Sequence, residues 1–520
     1  MMEQAASRQA HRRATRAKVR LAGLMRRRRG ALLVGTALQA TALLVLALPA
    51  AAQPAPNAQP QGGRVVGGSA TITQTATLTT INQSTQRAAI NWTGFNVGSN
   101  QTVDFNQPSS TSSTLNRVNS PDPSQIAGHI NANGTVVLVN QNGVVFDQGA
   151  QVNVGGLMVS TAGISTRNYM AGKMAFDRSG NPNAAVVNNG NITVKGAGLA
   201  ALVAPQVANS GVINARLGHV VLAGAQAATL DLYGDGLVSI DVSKQVTQVP
   251  LGPDGKPVTA LITNTGTILA AGGTVQLTAR AVDGVVQNLV AAGGTVSADT
   301  IGSHTGTVLI SGVGGSVVVT GTLTAEGRAP GTAGGAIGVN ATDGVTLANS
   351  SRLDASGRTG GGLVAIGTTL KRAAGGPSVT GQPTAKSVTV AKGAVVAADA
   401  TAKGDGGRIT VLSMDSTVIS GTLTAKGGPQ GGNGGLVEVS SAHGFAVTGV
   451  IDVSARLGNL GTILLDPDNL TIVGSGGNLD GSFTGTVTAG EDAGSSDSLS
   501  ASVLDGFTGN VLLQASTLID

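Results

Sequence analysis

Three stretches are variants of one pattern: VNNGNITVKGAGLAALVAP from Val187 to Pro205, ANSGVINARLGHVVLAGAQ from Ala208 to Gln226, and LITNTGTILAAGGTVQLTA from Leu261 to Ala279. In each, a short apolar alternation runs into Gly or Asn and is followed by another. Runs of this kind, four to seven residues with period two and bounded by turn formers, read as strands and turns. The pattern puts Asn189 and Asn209 in equivalent places, one repeat apart. Outward from this core the same grammar recurs: TVVLV at Thr135–Val139, TVLIS at Thr307–Ser311, and GTLTAEG at Gly321–Gly327 returning as GTLTAKG at Gly421–Gly427. SRLDASG at Ser351–Gly357 and GVIDVSA at Gly449–Ala455 fall into the same series.

A repeat of roughly 20 to 30 residues built from short strands and turns is one coil of a parallel β-helix. No coil buries its own apolar face. Stacked at the ~4.8 Å strand spacing, successive coils pair their backbones around a thin core. Gly, Asn and Ser supply the corners, and equivalent asparagines such as Asn189 and Asn209 are placed to form amide ladders. Some 18 to 20 coils would give a column of about 90 Å. The run GGPQGGNGG at Gly427–Gly435 reads as a surface excursion from one coil.

Composition agrees. Of 520 residues, 78 are Gly and only 2% are aromatic, so a large globular interior is excluded, while 41% hydrophobic residues exclude a wholly disordered chain. A β-propeller would need longer repeats with aromatic signatures. There is no Cys, hence no disulfide, thiol nucleophile or cysteine metal site.

Residues 1–52 read as a signal peptide with a long basic n-region: Arg8 to Arg29 carry the charge, Gly30–Leu48 is apolar, and Ala50 and Ala52 fit an A-x-A cleavage site. Met25 is an alternative start. The whole chain has 32 basic and 27 acidic residues, but ten of the former and one of the latter lie in this leader, leaving 22 against 26. Without a basic stripe interleaved with aromatics, nucleic-acid binding has no support. Residues 53–64 read as a flexible Pro/Gln/Gly lead-in.

The stretch from Ala89 to Ser165 contains INWTGFNVGSNQTVDFNQP and STLNRVNSPDPSQIAGHINANGTVVLVNQNGVVFDQGAQVNVGGLMVSTAGIS. With LDLYGDGLVSIDV at Leu230–Val242, it closely resembles the N-terminal haemagglutination-activity (TPS, two-partner secretion) domain of filamentous haemagglutinin-like exoproteins. LLDPDNLTI at Leu464–Ile472 is a second, weaker likeness. The resemblance implies a right-handed parallel β-helix with short extra-helical β-hairpins near the N-terminus. It implies a TPS domain over 65–245, followed by a repeat region over 246–520. It further implies a secreted or surface protein of a Gram-negative bacterium, an outer-membrane β-barrel transporter of the TpsB type as partner, and an adhesin role toward host glycans or proteins. The family's Asn-Pro-Asn-Gly motif stands here as Asn140-Gln141-Asn142-Gly143. Asn140, Asn142 and Gly143 are therefore the candidate secretion-motif residues, either as a transporter contact or as a structural turn.

No catalytic constellation, cofactor site or metal site is legible. His129, His219, His304 and His443 stand singly without ligand spacing. Asp466 and Asp468 are the one close carboxylate pair in a suggestive context, and Pro467 between them reads as a solvated turn. The reading is a non-enzymatic exoprotein. The alternatives are a polysaccharide-active β-helix enzyme and the stalk of a larger toxin or haemolysin.

Overall fold

The alternating runs become strands that climb in three parallel ladders, one strand per face in each coil. The computed structural model describes residues 53–231, 239–377, 384–467, 469–473, 497–514 and 518–519. The expected leader and cleavage site lie outside these residues. The first face runs from Arg87–Trp92 through Thr135–Asn140 and His219–Gly224 to Thr462–Pro467 and Asn510–Leu513. The second runs from Ser124–Ile126 to Gly444–Val447, and the third from Leu78–Gln83 to Val450–Asp452. Crossovers between parallel strands take the right-handed sense because a right-twisted strand packs back onto its sheet only that way.

Period-two alternation makes this work. On the third face every middle residue from Val103 through Ile130, Val152, Ile192, Ile213 and Ile268 to Ile451 points inward and is buried. Each such side chain contributes roughly 1.5–3 kcal/mol by leaving water. Fully buried aromatics of the column cluster in the first coils, where Trp92 meets Phe95 edge-on at 5.4 Å and Phe105 and Phe146 are also buried, while Phe507 packs half-buried against the core near the other end.

The third face belongs to a 14-stranded sheet whose first strand is antiparallel, leaving thirteen parallel rungs, and the bridge from Asp452 to Thr508 with the strand Asn510–Leu513 adds a fourteenth coil among the described residues. Fourteen rungs span about 62 Å, not the 90 Å expected from 18 to 20 coils. The coils are simply longer than the repeats suggest. Asn188 and Asn209, on neighbouring second-face strands, meet across 21 positions, but Asn209 and Asn264 meet across 55.

The longest insertions share one corner. Chain positions 161–184, 225–259 and 367–384 each separate a first-face strand from the next second-face strand. The ladder itself passes Lys244 and Val246 unbroken, since Asn209 pairs directly with Asn264.

Four further sequence expectations change. Residues 53–63 are tied across the open end of the first coil: Gly98 N donates to Ala58 O at 2.8 Å, Asn100 N to Pro56 O at 2.9 Å, and Gln61 bridges Gly94. With Arg64–Gly67 and Ala70–Gln74 lying antiparallel on the other two faces, the segment closes an edge that would otherwise template aggregation.

The amide ladder exists, but its rungs are Asn188, Asn209 and Asn264. Asn188 Nδ2 donates to Asn209 Oδ1 at 2.8 Å and Asn209 Nδ2 to Asn264 Oδ1 at 2.7 Å. Asn189 sits one place outside, accepting from Ser210 Oγ at 2.7 Å.

The run at Gly427–Gly435 is one rung of a stack of five Gly-rich loops rather than a lone excursion. Gly334 N, Gly361 N, Gly406 N and Gly434 N donate to the carbonyls of Gly360, Asp405, Asn433 and Asn459 in the coil above, at 2.8–3.0 Å. Finally, Asp466 and Pro467 lie in a strand instead of a turn, with Asp466 O accepting from Ser440 Oγ; Asp468 is outside the described residues.

Candidate functional site

The Asn140-Gln141-Asn142-Gly143 motif turns the chain from the first face to the second. Gly143 N donates to Asn140 O at 3.1 Å, closing a tight turn, and Asn142 N donates to Asn140 Oδ1 at 2.9 Å. Asn140 is wholly buried and its Nδ2 reaches back one coil to Ser124 Oγ and Asp122 O, both at 3.0 Å. Asn142 Nδ2 donates to Ser120 O at 2.8 Å. Gly143 has φ +120°, and a Cβ there would stand 2.8 Å from Ala185 O. The three residues that match the family motif thus face the fold, and Gln141, where this chain departs from it, is the exposed one. Its carbonyl accepts from Asn181 N at 2.9 Å, so the turn also anchors the insertion that follows.

That insertion builds a second apolar layer outside the column. Ala89, Leu115, Val137, Met158, Ala201 and Val221 form an outward row on the first face, yet all are buried. Their cover is residues 161–184, with Ile164, Tyr169, Met174 and Phe176, joined by Ala228 of the next insertion. Ser165 caps its helix, Thr166–Met170, accepting from Asn168 N at 3.0 Å. Ala175–Phe176 pairs with Ala227–Asp231, which pairs with Ser239–Lys244: these are the extra-helical strands. Tyr169 donates or accepts with Ser113 Oγ at 2.7 Å, and burial pushes its phenol well above the usual tyrosine range. Arg117 pins the edge, donating to Ile164 O at 2.8 Å, Thr166 Oγ1 at 3.2 Å and Asn91 Oδ1 at 2.9 Å.

Sequence reasoning missed Arg117, Ser113 and Tyr169. One signal was available: TVVLVN at Thr135–Asn140 is apolar at successive positions, which marks a strand buried on both faces.

Asp147, one turn further on, is buried with its Oδ2 unpaired, and burial raises its pKa. A folded pKa above the unfolded value contributes stability below the unfolded value and loses it as pH rises through the folded one. Asp147→Asn is therefore expected to stabilise the fold at neutral pH by about 1 kcal/mol, the advantage vanishing toward pH ~4. Thermal melts of both proteins across that range check it; a variant less stable at every pH would refute the assignment.

His129, His219, His304 and His443 remain apart in the structure, and burial lowers the pKa of His219. Among the described residues no three His, Cys, Asp or Glu side chains are grouped to hold a metal.

The family model for the TPS secretion domain matches residues 56–325, reaching past the boundary expected near 245. Two heme/hemopexin-binding proteins of Haemophilus influenzae are similar. One, from strain ATCC 51907 / DSM 11121 / KW20 / Rd, is 44% identical over 102 residues, 20% of this chain and 11% of its own length. The other is 38% identical over 120 residues, 23% of this chain and 13% of its own. The chain thus covers only a small part of those relatives. The crystal structure of the HMW1 secretion domain from Haemophilus influenzae superposes with a TM-score of 0.62 at 27% identity, covering 77% of this chain and all of that one.

Proposed function

Because the chain belongs to the TPS secretion domain family, whose exoproteins are secreted across the outer membrane of Gram-negative bacteria, we propose that its N-terminal coils are the address read by a TpsB-type transporter and the later coils an adhesive stalk. The family is one of secretion domains, not enzymes.

The observation that carries the proposal is the sealed N-terminal end. Cap, motif turn and apolar cover all converge on the coils between Arg64 and Lys244, within the 56–325 family match. In this reading 65–245 is the recognised unit and 246–520 extends the column. Asn140, Asn142 and Gly143 act by holding the turn, since they face the interior, and transporter contact falls to exposed neighbours such as Gln141. Stacking of later coils on a finished first coil favours outward movement of the chain, as nearest-neighbour interfaces stabilise a solenoid rung by rung. Host glycans or surface proteins are the proposed partners of the later coils.

Deleting residues 65–240 is expected to abolish release into the medium from cells that carry the cognate transporter. Undiminished release of that deletion would refute the secretion role. Loss of host-cell attachment by secreted chain shortened beyond residue 325 tests the adhesive part separately.

A further inference from the structure

Among the described residues, ion pairs begin only at Asp254, which meets Lys256, and continue up the column to Arg408 and Glu438. The cations of the first coils have none, and six gather around the inserted helix. Arg64 stands opposite Asn91, which accepts from Arg117. Arg117 also donates to Thr166 at the start of the helix, whose next residue is the exposed Arg167. The Arg87 guanidinium lies against Gly172, beside the exposed Lys173, and Arg178 packs on Gly163 close enough to depress the pKa of Arg117, adding to the larger effect of burial.

Asp177, exposed beside Arg178 in the chain, forms no ion pair with these cations. Like charges crowded without ion pairs cost stability, so their accumulation favours an anionic ligand. The helix tip narrows the choice. Half-buried Met170 and exposed Ala171 sit between Arg167 and Lys173, an apolar point ringed by cations. Such a point suits a lipid interface, where guanidinium forks grip phosphate while the tip meets the headgroup layer. We propose that this patch seats the N-terminal coils on the phosphate headgroups of an anionic lipid surface.

The proposal rests on the family's place outside the outer membrane, but release assays read export independently, so failure of lipid binding leaves the secretion reading standing. Co-sedimentation of the mature chain with phosphatidylcholine vesicles, with or without phosphatidylglycerol, tests it. Binding is expected only with phosphatidylglycerol, and weaker at high salt. Arg167→Gln/Lys173→Gln/Arg178→Gln, which spares the pinning residues Arg87 and Arg117, is expected to weaken binding roughly a hundredfold. Lys195→Gln/Arg216→Gln/Lys403→Gln removes as many charges elsewhere and is expected to change little. Equal loss in both triples, no binding to phosphatidylglycerol vesicles, or equally tight capture by immobilised polyglutamate would overturn the assignment, the last pointing to an acidic protein instead.

Discussion

Gly361→Ala is expected to destabilise the chain by about 3 kcal/mol or more, far beyond the usual cost of a surface glycine substitution. A Cβ on Gly361 would stand 1.8 Å from Ala398 O and 2.3 Å from Gly407 N, both backbone atoms of the next coil. No rotamer change relieves such a clash; the coils must part. The same geometry recurs at Gly334, 1.8 Å from Ala355 O, and at Gly434, 1.9 Å from Val453 O, so the contact belongs to the stacked loops as a set. Gly196→Ala is the control, because nothing lies within 4 Å of its Cβ position and its backbone is not left-handed. Urea denaturation compares them. If Gly361→Ala shifts the midpoint no more than Gly196→Ala, the loops do not stack as described.

Asn209→Ala is the second large effect. Asn209 is the middle rung of the amide ladder, giving one hydrogen bond to Asn264 and taking one from Asn188, with all three side chains almost completely inaccessible. Its removal strands a donor on one side and an acceptor on the other, each costing about 1–3 kcal/mol when buried, so a loss of about 3 kcal/mol is expected. Asn264→Ala breaks one bond between rungs instead of two and should cost about half as much. A double-mutant cycle between Asn188 and Asn209 should return a coupling of about 1 kcal/mol. Independent, additive losses would mean the side chains do not form a ladder.

Sequence alignment puts this ladder one place out for a physical reason. Asn188 and Asn189 are adjacent, so aligning the repeats by asparagine alone allows a slip, whereas in the fold such a slip exchanges an inward side chain for an outward one. The strands, the solenoid and the motif turn were legible because they depend on short spacings. Coil number was not, because the 225–259 insertion stretches one step of the ladder to 55 positions and hides the period. The apolar cover was not either: its bond between Ser113 and Tyr169 spans 56 positions, with no local pattern to announce it. Nor could composition reveal that Asp147 would be buried without a partner for its Oδ2, since the chain around it, FDQGAQ, reads as an ordinary turn.

All three insertions depart from the same edge, and the main-chain ladders on either side continue past them. Evolution has therefore a tolerant splice point at every turn of this scaffold, and so has an engineer. The Pro250–Lys256 tip, closed by the bridge between Leu251 and Pro257, already carries chain away from the stack without disturbing it, and a displayed epitope or affinity tag placed there should ride to the cell exterior on an intact carrier.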